Sequence, residues 1–190
     1  MTSDHRGVAP VTAVVLLVAV AVVLAGGVSA FSLGFTSNLR APGPNVAQSS
    51  GAFMPQSGTA GGIVQITHLG GEPVPVSEIE LAVTAECQSG TERGRIQNLP
   101  PGSGNDIDAS DGQISGTNIF DERSLNSISG EVDGVDNGGA LLENEEVTAG
   151  ETILFRIPAS KCTLTDGSTV SVRVVHTPSQ SVVIKQELTA

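Results

Sequence analysis

The sequence predicts an α+β chain, a long N-terminal apolar helix followed by an antiparallel β-sandwich domain, on three observations. No ionisable side chain stands between Val8 and Leu39, a stretch longer than the ~20 residues a bilayer-spanning helix needs. Runs such as Ile79–Cys87 then alternate apolar with mostly polar residues, the period of a half-buried strand. Between them, residues 36–62 are rich in Gly, Ser, Pro and Asn, with neither acid nor apolar periodicity. The 190 residues thus divide into a leader at 1–7, a helix at 8–35, a flexible linker at 36–62 and a β-sandwich domain at 63–190. One domain of ordinary size with one appendage is what such a length holds.

The leader, Met1 to Gly7, is short and polar and ends in Arg6-Gly7. Pro10 suits the first turn of a helix, where its missing N–H costs nothing. In lipid the backbone must satisfy its own hydrogen bonds, so the many valines do not prevent helix formation. From Pro10 to Gly34 the helix would measure about 37 Å at 1.5 Å per residue, enough to span a bilayer with tilt. Gly26, Gly27 and Ala30 permit close approach of neighbouring helices, or mark a kink. The same segment also fits an uncleaved signal anchor, or a secretory signal cut after Val28-Ser29-Ala30. One basic residue, Arg6, precedes it and one, Arg40, follows, so charge gives no orientation.

In the linker, Ala41-Pro42-Gly43-Pro44 favours extended backbone, because each proline disfavours the helical region for the residue before it. Strands follow at Ile63–Thr67, at Ile79–Cys87, around Ile153, Phe155 and Ile157, around Val170, Val172 and Val174, and at Val182 and Ile184. Leu69-Gly70-Gly71, Gly167 and Pro178-Ser179-Gln180 supply turns. Residues 88–146 are rich in Gly, Asn, Asp and Ser and read as surface loops, with a short helix near Phe120–Leu125.

The chain carries 9 Lys plus Arg against 20 Asp plus Glu, a formal net charge of −11, and neither Trp nor Tyr. Nucleic acid is excluded as a partner by this balance, since phosphate binding needs a clustered basic face and base stacking needs aromatic rings. The acid excess suits either a protein adapted to high salt, whose carboxylates keep the surface hydrated, or an ordinary acidic secreted domain. Cys87 and Cys162 lack metal-ligand spacing; outside the cytoplasm they can close a disulfide loop, and otherwise they are two buried thiols. His68 and His176 end apolar strand faces and read as ties between a strand and its turn, although with a carboxylate such as Glu72 they can be cast as metal ligands. Asp106, Asp108, Ser110 and Asp111 resemble an oxygen-rich calcium loop, but Gly112 falls one position late and Thr117 stands where the bidentate Glu belongs. They read as a solvated acidic loop, as do Glu143, Glu145 and Glu146. No nucleophile motif, P-loop or glycosylation sequon is present.

Arg6-Gly7 followed by Val8-Ala9-Pro10-Val11 and the aliphatic Thr12-Ala13-Val14 resembles the haloarchaeal type IV pilins and pilin-like proteins with a class III signal peptide. Their precursors carry a charged and a small residue, then a mature N-terminus of the form Val-Ser-Pro-Val and a long aliphatic helix. The resemblance implies processing at Arg6, Gly7 and Val8, with a prepilin peptidase cutting between Gly7 and Val8 and leaving the helix on the mature protein. Thr12 occupies the fifth mature position, where bacterial type IV pilins use a glutamate in assembly. Ile66-Thr67-His68-Leu69-Gly70-Gly71-Glu72-Pro73 also resembles the Ile-Thr-His-x-Gly-Gly-Asp strand and turn of these proteins.

The reading that follows is a structural subunit of a surface filament, possessing no enzymatic activity, cofactor or metal and supporting adhesion. Its partners would be the lipid bilayer, a prepilin peptidase and other pilin subunits through the helix. It would sit in the cell membrane as a single-pass protein with its body outside, and at the cell surface when assembled. The alternative is a monomeric membrane-anchored module that presents its loops to a ligand.

Overall fold

The computed structural model describes residues 8–36, 42–56, 61–101, 107–122, 128, 139–143 and 145–190. Two compact units divide at residues 41 and 42. The first contains α1 (Val8–Thr36), a continuous helix with no acidic residue in its first turn and no basic residue in its last. Pro10 lies in its first turn, as its fixed φ allows, and the helix runs through Gly26-Gly27 without interruption.

The second unit is the β-rich body. Its strands are β1 (Val46–Pro55), β2 (Gly62–Gly71), β3 (Val74–Pro75), β4 (Ile79–Cys87), β5 (Gly90–Ile96), β6 (Ile114–Gly116), β7 (Glu146–Val147), β8 (Thr152–Ile157), β9 (Thr169–His176) and β10 (Ser181–Thr189), with a one-turn helix α2 (Ala140–Glu143) before β7. They form a three-stranded sheet β1-β2-β8, a five-stranded sheet β10-β9-β4-β5-β6 and the short pair β3-β7. Among the described residues all the strand pairings are antiparallel. The arrangement is sandwich-like, as the alternation in the sequence predicts.

In β4 that alternation is borne out at every position but one: Ile79, Leu81, Val83, Ala85 and Cys87 are buried, Glu80 and Thr84 are half-buried and Glu86 is exposed, while Ala82 on the outward face is buried as well. Val170, Val172 and Val174 of β9 share the core side in the same way. From the other sheet Val64 and Ile66 of β2 pair with Phe155 and Ile153 of β8, and Phe155 meets Phe120 edge to face at 5.8 Å between ring centroids. Gly94 lies against the Phe120 ring, and a Cβ there would come within 2.7 Å of it. Only glycine lets β5 approach so closely.

Three expectations need correction. Residues 36–62 are not all linker: β1 lies inside them, pairs with β2 along its length from Val46↔Gly71 to Pro55↔Gly62, and packs Phe53 and Met54 against the core. An edge strand of small residues such as Ser49-Ser50-Gly51 shows no alternation, because its stability comes from the ladder and from three side chains near its ends, Val46, Phe53 and Met54, rather than from a whole apolar face. Residues 88–146 are not only surface loops. They contain β5, β6 and α2, and they bury Ile107, Ile119, Phe120, Ile128 and Leu141 in the core.

The third correction concerns β8, read as half-buried but buried at all six positions. Gly139 bridges Ile153 and Asp121 N–H donates to the Arg156 carbonyl, so residues from after β6 cover the free edge of the strand. The buried Arg156 guanidinium is held 3.3 Å from the Asp121 carboxylate, as a charge removed from water requires. Where the helix near Phe120–Leu125 was expected, residues 120–122 are not helical, and 123–127 lie outside the described residues.

Nearby, Lys161 Nζ approaches Glu122 Oε1 at 2.6 Å, and Asn118 donates to the same carboxylate. The lysine and then the asparagine hold the Glu122 carboxyl below the ordinary glutamate range. A depressed folded-state pKa contributes stability above the unfolded value, and that contribution is lost as pH falls through the folded one. Glu122→Gln is therefore expected to flatten the decline of stability below about pH 4 and to leave the neutral-pH melting curve nearly unchanged, since this exposed pair is worth little. Thermal melts across an acid pH series measure the difference.

Candidate functional site

The feature of the first unit with a physical role to fill is α1. From Val11 to Val28 it offers an 18-residue span long and apolar enough to cross a membrane, and those side chains are exposed within the chain. Leucine and valine in such number do not stay in water. Gly26 and Gly27 meet nothing that a Cβ would disturb, so no packing inside the chain requires them to be glycine. Arg6 and Gly7 of the expected processing site lie outside the described residues; Val8 is the first residue of the helix.

In the body, Cys87 and Cys162 are joined as a disulfide, with Cα atoms 5.2 Å apart across a sequence separation of 75. Cys87 ends β4 and Cys162 follows β8, so the bond ties the five-stranded sheet to the segment leaving the three-stranded one. Gln88 N–H donates to the Thr163 carbonyl beside it at 2.9 Å.

His176, at the end of β9, has a hydrogen-bond partner on each ring nitrogen. Its Nε2 lies 3.0 Å from Glu78 Oε2 and its Nδ1 2.7 Å from Ser179 Oγ, which lies 2.7 Å from Ser181 Oγ. A carboxylate only accepts, so Nε2 carries the proton and donates to Glu78. Nδ1 then accepts from the Ser179 hydroxyl, which in turn accepts from Ser181. Serine, histidine and acid in series is the composition of a nucleophile relay, yet the geometry works as a clasp. Gly43 lies over the two hydroxyls, where a single added methyl would come within 2.6 Å of Ser179 Oγ, so an acyl group has no approach. Thr177 donates from both its N–H and its hydroxyl to the Glu78 carbonyl, and Gln180 closes the turn with φ of 57°. The expectation that His176 ties a turn to its strand holds. Of its partners, Ser179 was read in the sequence as a turn residue, whereas Glu78 and Ser181 were not singled out, although the serines sit three and five residues after the histidine.

His68 is buried on β2 and its Nδ1 donates to the Val147 carbonyl at 3.2 Å. That bond fixes the tautomer and ties β2 to β7. Glu72 is engaged elsewhere: its Oε2 accepts from Asn45 N–H at 2.8 Å while its own N–H donates to the Asn45 carbonyl. Among the described residues no group of three or more His, Cys, Asp or Glu is placed to hold a metal ion. Asp106 lies outside the described residues. Asp108 Oδ1 accepts from Ser110 N–H at 2.7 Å, a bond that holds this exposed carboxyl below its ordinary range; the loop is a turn closed by its own aspartate.

No family model matches the chain. A protein of Archaeoglobus fulgidus, itself described only as uncharacterized, is 32% identical to it over 99 residues, a match covering 50% of this chain and 67% of the relative.

Proposed function

The chain belongs to one family with that Archaeoglobus protein, and from this premise we propose that it is a structural subunit of an archaeal type IV pilus-like surface filament, held in the membrane before assembly and supporting adhesion. The observation that carries the reading is α1, an uninterrupted apolar helix directly behind the Arg6-Gly7/Val8-Ala9-Pro10 junction. In a bilayer the helix is covered by acyl chains; in a filament the same surface is covered by the helices of neighbouring subunits, so little burial is lost on extraction. Each α1 that leaves lipid must find an equivalent apolar environment, which makes association between copies the natural outcome. The acidic body keeps the assembled surface hydrated.

Processing decides between this reading and secretion. Mass spectrometry of the mature N-terminus in membrane and shed fractions is expected to show a start at Val8, and Gly7→Leu is expected to leave the precursor uncut. A start at Phe31 would mean that the helix is discarded and the assembly mechanism fails. With Val8 established, electron microscopy of surface filaments probed for this chain separates a polymerising subunit from a monomeric anchored module.

A further inference from the structure

The cations of this acidic body are scattered in sequence and gathered by the fold. Residues 42–190 carry 19 Asp and Glu against 7 Lys and Arg. Arg156 and Lys161 are paired with Asp121 and Glu122. Arg93, Arg95, Arg173 and Lys185 instead share one face of the five-stranded sheet, the face turned away from the core.

The register places them there. Ala82 of β4 pairs with Arg173 of β9 on one side and with Arg95 of β5 on the other, Thr84 pairs with Arg93, and Lys185 of β10 pairs with Arg173. Neighbouring strands are ~4.8 Å apart and same-face residues ~7 Å apart along a strand, so the guanidinium groups frame β4 from both sides. Between them Ala82 and Thr84 are short and Gly94, Ser115 and Gly116 lie alongside, which leaves a shallow cavity of about 260 Å³. Arg95 is drawn to Glu80 at 3.0 Å and Lys185 to Glu187 at 3.0 Å. Among the described residues Arg93 and Arg173 enter no ion pair and are exposed. They stand diagonally across β4 with their charges unanswered.

We propose that this groove binds a carboxylated polysaccharide, with successive uronate carboxylates received by Arg93 and Arg173. The planar guanidinium fork matches a carboxylate in two parallel hydrogen bonds. Small residues on the floor leave height for a sugar ring between the arginines. The charge balance selects an extended polymer over a folded acidic partner, because a bulky anion meets the repulsion of the surrounding carboxylates whereas a single strand presents its charge to the groove alone. Four cations with no aromatic ring among them fall short of the roughly 6–10 phosphate contacts of a nucleic-acid interface. The proposal is independent of polymerisation: a dispersed chain carries the whole groove.

Titration calorimetry of the full-length chain in detergent micelles with oligogalacturonate tests it. Binding is expected, weakening with salt, and Arg93→Ala and Arg173→Ala are each expected to lower affinity about tenfold without moving the thermal melt. Lys161→Ala, which removes the same charge away from the groove, is expected to bind as the parent does. Four results would overturn the proposal: absence of binding, an equal loss in the Lys161 variant, tighter binding of oligothymidylate than of the uronate, or loss of self-association rather than of uronate binding in the arginine variants. The last would mark the face as a contact between copies. Failure of filament formation leaves this measurement untouched, and failure here leaves the processing experiment untouched.

Discussion

Phe155→Ala is expected to destabilise the body by ~3–5 kcal/mol, the range for removing a fully buried aromatic side chain from a packed core. Phe155 is 0% exposed on a strand buried along its whole length, and its ring stands edge to face with Phe120. β2 lies along one side of β8, Asp121 and Gly139 bond its other side, and close backbone packing at Gly94 backs Phe120, so the cavity has little freedom to collapse. Chemical denaturation of the full chain in micelles, followed by the β-sheet circular dichroism signal, reads the loss directly. Phe53→Ala supplies the contrast: that ring is half-buried on β1 and its removal should cost clearly less. Equal losses at the two positions would contradict the core described above.

Removing the disulfide is the second large effect. Cys87→Ser with Cys162→Ser, or reduction of the parent chain, is expected to cost on the order of 4 kcal/mol, because the bond closes a loop of 75 residues in the unfolded state. The double variant avoids leaving a lone thiol beside a buried partner site. Its denaturation midpoint should match that of the reduced parent. A midpoint equal to that of the oxidised parent would mean that native packing alone determines stability and that the bond adds nothing.

Legibility in the sequence followed the number of faces each strand buries. β4 and β9 bury one face and expose the other, so Ile79–Cys87 and Val170–Val174 announce themselves by period two. β8 buries both, and its true environment depends on residues after β6 that show no period of their own. Isolated residues such as Ile107, Ile119 and Phe120 look like loop residues until the chain around them is folded. β1 was hidden for the opposite reason, since Ser49, Ser50 and Gly51 form a ladder with β2 while presenting almost no apolar face. The helix was plain because lipid-length apolarity needs no tertiary partner to be recognised.

The sites divide in the same way. His176 could be read as a tie between its strand and the following turn from its position alone, whereas His68, read the same way, lies inside β2 and bonds the Val147 carbonyl of β7 instead, and Glu78 reaches His176 across 98 residues, a separation that no local motif spans. The arginines gave a misleading impression: Arg93 and Arg95 are near neighbours in sequence, but Arg173 joins them only through the pairing of β9 with β4. Scattered cations in a sequence therefore do not imply a scattered surface in the fold.

The Cys87–Cys162 bond also decides how the body bears load. A pull transmitted from the two ends of the chain follows the shortest covalent path, which crosses directly from Cys87 to Cys162. Everything between them, including β5, β6, β7 and β8, lies in a closed loop that carries no tension. Force is borne by β1, β2, β3 and β4 on one side of the bond and by β9 and β10 on the other. The first body contacts met from the N-terminal side are Gly43 over its serines and the Asn45–Glu72 hydrogen bonds. The aperiodic half of the domain, where the arginine groove has its β5 and β6 wall, thus lies outside the covalent load path, and even a chain stretched until β1 peels away cannot be drawn out through it while the disulfide holds.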